Sequence, residues 1–308
     1  MKHKEKSMAS AIVYLGEDAA ASADFCMQIC EQMESVFEVY ELVVVSDCRE
    51  HAAAAVKQAH LASGREAALT IVNLSVRQGV ERAMNAGIDI AIGDYLYEFD
   101  NVDAALPDGI VAKAFATATG GYDIVTAKPQ GVGKLGSRLF YGLFNRYSES
   151  GSKLGTDGFH LLSRRAVNRL HAINPYIPYR KAAHAASGMR MTDFVYTPAG
   201  VWKAAKDDRV GKATDALILY TDAAYRLSVT IALIMLVLAF ASGIYTLVVY
   251  LSAQPVAGWT TTMAVISAGF SGVFLLFAVV IKYLSLLVDL TFRNQKYLVA
   301  SVDKVQNE

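Results

Sequence analysis

The chain has 308 residues, and 29 Lys and Arg are matched by 29 Asp and Glu, so its formal charge is zero. That length accommodates more than one domain, and the lack of net positive charge excludes a nucleic-acid binder that relies on a basic field. Apolar residues make up 54% of the sequence, and the excess is local, because residues 227–281 contain no Asp, Glu, Lys, Arg or His.

Cys26, Cys30 and Cys48 are odd in number and lack framework spacing, which reads as reduced thiols, and for the pair Cys26 and Cys30 core positions are favoured over a metal site. The first seven residues are basic, but the apolar run that follows is only strand-sized, so no secretory signal is expected.

In chain order, Ala11-Ile12-Val13-Tyr14-Leu15 reads as a buried strand ending at Gly16-Glu17-Asp18. Phe25, Ile29, Met33 and Val36 recur at helical spacing, giving an amphipathic helix over about 21–36. Glu41-Leu42-Val43-Val44-Val45 is a second strand with a polar tip at Ser46-Asp47, followed by a helix near 51–61. Leu69-Thr70-Ile71-Val72-Asn73 is a third strand, and a helix through Val80, Ala83 and Met84 leads to the stretch from Ala91 to Asp103. A helix over 108–119 and a strand over 123–126 continue the alternation. Strands separated by single helices imply parallel pairing with right-handed crossovers, hence a doubly wound α/β domain. The stretch from Ala91 runs through Gly93-Asp94 into a short strand whose acids, Asp100 and Asp103, fall where such sheets gather ligands.

Beyond residue 130 the pattern loosens. Residues 134–147 mix Lys134, Arg138 and Arg146 with Leu and Phe, which suits either a membrane-surface helix or an ordinary core-facing one. Two uncharged stretches, 227–251 and 263–281, match the ~20 residues that cross a bilayer. Trp259 stands in the turn between them, and Arg226, Lys282, Arg293 and Lys296 flank the pair. By the positive-inside rule both termini and the large domain are cytoplasmic. Residues 282–299 read as an amphipathic helix along the inner leaflet. The expected organisation is a cytosolic domain over 1–222, able to fold alone, a transmembrane hairpin over 227–281, and a juxtamembrane tail over 282–308.

With these parts in view the chain resembles the family 2 glycosyltransferases that act on polyprenyl phosphates, the dolichol-phosphate mannosyltransferase and bactoprenol glucosyltransferase type. The resemblance covers nearly the whole chain. Val13-Tyr14-Leu15-Gly16-Glu17 stands for the family's nucleotide-holding loop and keeps only its acid. Val45-Ser46-Asp47-Cys48-Arg49 keeps one of two aspartates. The segment from Arg77 through Asn85-Ala86-Gly87 to Gly93-Asp94 matches best. The family's Asp-x-Asp is Asp100-Asn101-Val102 here, with another acid at Asp103. Asp157-Gly158-Phe159-His160-Leu161-Leu162-Ser163-Arg164 is similar to the acceptor-lining element, with His160 in place of Arg. Arg209-Val210-Gly211-Lys212 echoes a later basic motif, and the tyrosine-rich basic tail follows the family's ending.

What the resemblance implies is a GT-A-like domain that binds a nucleotide-diphosphate sugar, with Glu17 and Asp47 contacting the nucleoside. Asp100, with Asp103 as a weak partner, would anchor Mg2+ or Mn2+ on the diphosphate; in an extended chain residues three apart face opposite ways, so both reach one ion only across a turn. Arg77 offers an alternative, because a guanidinium fork suits diphosphate oxygens. Asp157 would serve as general base where one is needed. Lys134, Arg138, Arg209 and Lys212 form the cationic set for the acceptor phosphate, drawn with Arg180 and Lys181 from the cations near the bilayer. The plain alternatives are that Asp103 caps the segment after it, that Asp100 makes a turn hydrogen bond, and that the remaining charges are solvated or lie at the membrane surface. Two functional readings follow. One is a membrane-anchored hexosyltransferase using polyprenyl phosphate on the cytoplasmic leaflet of a bacterial inner or plasma membrane, with assembly into homo-oligomers allowed. The other is a catalytically degraded homologue that binds a nucleotide sugar or acts as a scaffold. Nucleic acid is not an expected partner.

Overall fold

The computed structural model describes residues 4–102, 106–131, 156–173, 179–200 and 297–305, with scattered helical positions at 142 and between 230 and 287. The chain divides into two compact units, Met1–Ala213 with Gln295–Glu308, and Thr214–Asn294.

In the first unit, strands β1 (Ala9–Tyr14), β2 (Tyr40–Asp47), β3 (Ala68–Leu74), β4 (Tyr95–Phe99), β5 (Ile124–Pro129), β6 (Phe159–Ser163), β7 (Met191–Tyr196) and β8 (Val299–Val305) form one sheet. Helices α1 (Ala19–Val36), α2 (Glu50–Ser63), α3 (Val80–Ile90), α4 (Ile110–Thr119), α5 (Arg164–Ile173) and α6 (Arg180–Ala186) connect or follow them. The order across the sheet is β7-β5-β6-β4-β1-β2-β3-β8. Strands β1 to β4 pair in parallel, as expected. The sheet as a whole is mixed, however, because β6 runs antiparallel to β4 and β5, and β8 antiparallel to β3.

Every residue of β1 and β2 is buried, since helices cover both faces of the central strands. One face meets α1, α2 and α4 through an aromatic cluster: Phe37 is edge-on to Phe115 at 4.9 Å, and Phe99 lies 5.1 Å from Phe159. Burying each such ring contributes about 1.5–3 kcal/mol. The other face meets α3 so closely that a Cβ on Gly87 would stand 2.6 Å from Ile12 Cγ2 and 2.8 Å from Val45 Cγ2. Asp18 starts α1 by accepting the N–H groups of Ala20 and Ala21 at 3.0 and 3.1 Å.

Strand β8 corrects the expected boundary. Part of the tail assigned to the membrane surface is an edge strand, with Leu69 opposite Val305 and Val72 opposite Val302. Six of its seven side chains are exposed, so it is bound by backbone hydrogen bonds rather than by an apolar face. Such a strand carries little hydrophobic signal. The uncharged stretches 227–251 and 263–281 lie largely outside the described residues, and among the described residues no helix is long and apolar enough to cross a membrane.

A fragment ending at Asp222 lacks β8 and leaves the edge of β3 unpaired, an invitation to intermolecular pairing. Fragment 1–222 is therefore expected to aggregate and melt lower than 1–213 joined by a flexible linker to 295–308. Thermal melts and size-exclusion chromatography of the two provide the comparison.

Candidate functional site

Because β1 to β4 are parallel, their carboxyl ends share one edge of the sheet. Asp47 ends β2, and the segments leaving β1, β3 and β4 carry Glu17, Arg77 and Asp100, so the fold gathers four residues singled out from the sequence. Their engagements differ.

Asp47 is buried and fully used by the protein. One oxygen accepts the N–H of Gln78 at 2.7 Å, and the other accepts the N–H of Gly79 at 2.9 Å and the Tyr14 hydroxyl at 3.1 Å. Burial pushes the Tyr14 pKa up to about 12, so it remains a donor. Asp47 therefore holds the loop between β3 and α3 in place. Arg77, on that loop, pairs with Glu17 at 3.4 Å, and both side chains are well exposed. An exposed pair of this kind is weak and leaves either partner available to a ligand. Nearby, Arg49 binds the Leu15 carbonyl and lies 4.6 Å from the centre of the Tyr14 ring.

Asp100 meets the guanidinium of Arg180, which is only 1% exposed. Arg180 Nε lies 3.3 Å from Glu81 and 3.8 Å from Glu98, and its backbone N–H donates to Glu81 at 3.1 Å. Burial opposes the cation, but Asp100, Glu81 and Glu98 outweigh it and hold its pKa above the ordinary value. Removing one member of such a cluster leaves an uncompensated buried charge, at a cost of about 3–5 kcal/mol. Glu98 is wholly buried, and burial, despite Arg180, pushes its pKa up to about 7. His184 approaches Glu98 at 4.0 Å, and burial together with Arg180 lowers its pKa to about 3.

Asp157 lies beside this cluster. One of its oxygens is 3.4 Å from Lys181 Nζ and 3.5 Å from His160 Nε2, and burial raises its pKa despite the lysine. His160 faces Thr126 at 3.2 Å and packs edge-on against His184 at 5.1 Å; burial, then His184, keep it neutral. The structure thus brings Asp100 and Asp157 together through the consecutive residues Arg180 and Lys181. Arg164, from the element resembling an acceptor lining, sits at the other end of β4, bonding the carbonyls of Ala91 and Gly93. Lys134, Arg138, Arg209, Lys212 and Asp103 lie outside the described residues.

Of the expected metal-binding pair, only Asp100 is among the described residues. Asp100 is engaged by Arg180, and Val102 is buried against Gly16, where an added Cβ would meet Val102 Cγ2 at 2.7 Å. Among the described residues no three His, Cys, Asp or Glu side chains are grouped to hold a metal. Glu81, Glu98 and His184 escaped the sequence reading. The available signal was an acid inside Tyr95-Leu96-Tyr97-Glu98-Phe99, since a strand buried on both faces tolerates a carboxylate only with partners.

A mixed α/β sheet that collects acids and an arginine at the tips of four parallel strands sets them where open α/β sheets bind ligands. Residues 26–185, just over half of the chain, match the family described as Glycosyl transferase family 2. The chain belongs to glycosyl transferase family 2. An uncharacterised glycosyltransferase of Synechocystis sp. is 32% identical over 130 residues, which are 40% of this chain and 41% of that protein. The fold is similar to that of a mannosyltransferase from Pyrobaculum calidifontis solved with GDP-mannose and Mn2+ (TM-score 0.50, 18% identity, 70% of this chain and 63% of that one). The chain thus spans less than two thirds of either protein's length.

Glu98 offers a test of the cluster. The unfolded chain loses this proton near pH 4.5, whereas the fold keeps it to about 7. Stability therefore falls as pH rises through that window, and the loss, on the order of 3 kcal/mol, is complete above it. His184 acts oppositely: the fold excludes a proton that the unfolded chain takes up below 6.5, so stability falls as pH drops. Glu98→Gln removes only the first effect. Its Tm relative to wild type is expected to rise between about pH 5 and about pH 8; a constant difference in thermal melts would contradict the buried, proton-holding Glu98.

Proposed function

We propose that this protein transfers a hexose from a nucleotide-diphosphate sugar to a polyprenyl phosphate at the cytoplasmic face of a bacterial inner or plasma membrane. The observation that carries the reading is the convergence of Glu17, Asp47, Arg77 and Asp100 at the tips of β1 to β4, in a chain of family 2. The donor lies over those tips. Arg77, exposed and weakly paired, swings to the diphosphate, where a guanidinium fork balances the charge that grows on the leaving group. Asp100 is held in one orientation by Arg180 and faces the sugar side of the donor. The acceptor phosphate is already ionised at neutral pH, so it needs cations and alignment more than a base. Lys181 beside Asp157 supplies one cation, and Lys134, Arg138, Arg209 and Lys212 complete the acceptor site.

Membrane anchoring by 227–251 and 263–281 is part of the proposal. It is supported by the charge-free sequence and by Ile266, Phe270, Val273, Phe277, Val280, Leu284 and Leu287, helical positions whose apolar side chains are exposed. Their spacing of three and four places them on one helix face. The proposed organisation is a cytoplasmic catalytic unit, this hairpin, and a tail that returns to the catalytic sheet.

A second reading has its own observation. Val102, where the family has an acid, is wedged against Gly16, and Asp100 is neutralised by Arg180, as in a homologue that keeps donor binding without transfer.

Full-length protein in detergent, given labelled UDP- or GDP-hexoses and polyprenyl phosphate, is expected to form a labelled lipid. Asp100→Ala and the milder Asp100→Asn are expected to slow transfer by about a hundredfold or more, a loss typical of a positioned catalytic group. Undiminished transfer by both variants would remove Asp100 from the site. Nucleotide binding by a wild type that transfers nothing would favour the second reading.

A further inference from the structure

The peptide directly before β8 reaches the edge of the candidate site. Leu298 donates its N–H to Gln78 Oε1 at 2.9 Å, and its carbonyl accepts from Gln78 Nε2 at 2.8 Å. The same carbonyl accepts the Ser75 N–H at 3.1 Å and the Ser75 hydroxyl at 3.3 Å. The Gln78 amide thus pairs with a peptide unit of the tail as a neighbouring strand would. Next to it, Tyr297 donates to Asp89, near the end of α3, at 2.8 Å.

The Leu298 contacts fall on the connection from β3 to α3, residues 75–79, which carries Arg77. From the opposite side the same loop is gripped by Asp47, through the N–H groups of Gln78 and Gly79. Gln78 is the shared member: its backbone is bound to Asp47 and its side chain to Leu298. Arg77 lies between Ser75 and Gln78, so its backbone is held from both sides while its exposed side chain makes only the weak pair with Glu17. Nothing in the loop's own sequence would hold it this way. One clamp comes from β2 and the other from a peptide 220 residues further along the chain.

We infer that the C-terminal tail is a positioning element of the donor site, setting through Gln78 the conformation of the loop that presents Arg77 to a nucleoside diphosphate. The inference rests on the proposed placement of the donor at these strand tips. A loop ordered before the ligand arrives does not charge its ordering entropy to binding, so loosening it weakens affinity without removing any ligand contact.

The test uses the full-length chain in detergent with three variants. Gln78→Ala removes the side-chain clamp, and Leu298→Pro removes the tail N–H that Gln78 accepts while also fixing φ at 298 and restricting Tyr297. Asn73→Ala is the control, since Asn73 binds Ser301 and Asp303 on the same strand at 3.0 and 3.2 Å without touching the loop. Hydrogen exchange at residues 75–79 is expected to accelerate in the first two variants and not in the control. Affinity for UDP or GDP, measured by titration calorimetry, is expected to fall about tenfold in the same two, a factor that ~1.4 kcal/mol corresponds to. Unchanged loop exchange in both variants overturns the inference. So does faster exchange with wild-type affinity for a nucleotide that the protein binds. A wild type that binds neither UDP nor GDP while the loop exchanges as expected overturns the donor-site placement, and with it the assignment of the tail to that site.

Discussion

The feature on which the rest of the site depends is one guanidinium with almost no exposure to water. Arg180 is shared among Glu81 from α3, Glu98 from within β4 and Asp100 just beyond it. A charge in that position is tolerable only when acids surround it, and those acids are tolerable only because of the charge. The mutual dependence fixes α3, β4 and the start of α6 relative to one another at the carboxyl edge of the sheet. Burial, helped by Arg180, keeps His184 neutral, and burial leaves Glu98 holding its proton to about pH 7.

This arrangement changes the meaning of Asp100. Read alone, an acid at the tip of a central strand suggests a metal ligand. In the fold its carboxylate faces a fixed internal cation, and the residue two positions on is an apolar side chain packed on Gly16. A site made this way offers a ligand an oriented carboxylate and, on the neighbouring loop, a loosely held arginine.

The tail adds a second constraint. By pairing with β3 and meeting Gln78, the last residues of the chain belong to the same unit as the candidate site, although the Thr214–Asn294 unit intervenes in sequence. The edge of β3, which would otherwise present unpaired backbone groups, is covered by a strand whose exposed residues include Asp303 and Lys304, a charged edge of the kind that discourages further pairing.

The sequence by itself determined the first four strands and the helices between them, because continuous apolar runs flanked by polar tips leave little choice but a doubly covered parallel sheet. Through the family resemblance it also singled out Glu17, Asp47, Arg77 and Asp100, which the parallel pairing of β1 to β4 then places at one edge. The antiparallel strands β6 and β8 and the partners of each acid were decided only in three dimensions. Strand β8 carries scarcely any apolar pattern, its pairing resting on backbone groups that every residue has. Arg180 and Asp100 are 80 residues apart, and Gln78 and Leu298 are 220 apart. No local spacing encodes such pairs: whether an acid binds a ligand, a metal or an arginine depends on what the fold brings within a few ångströms of it.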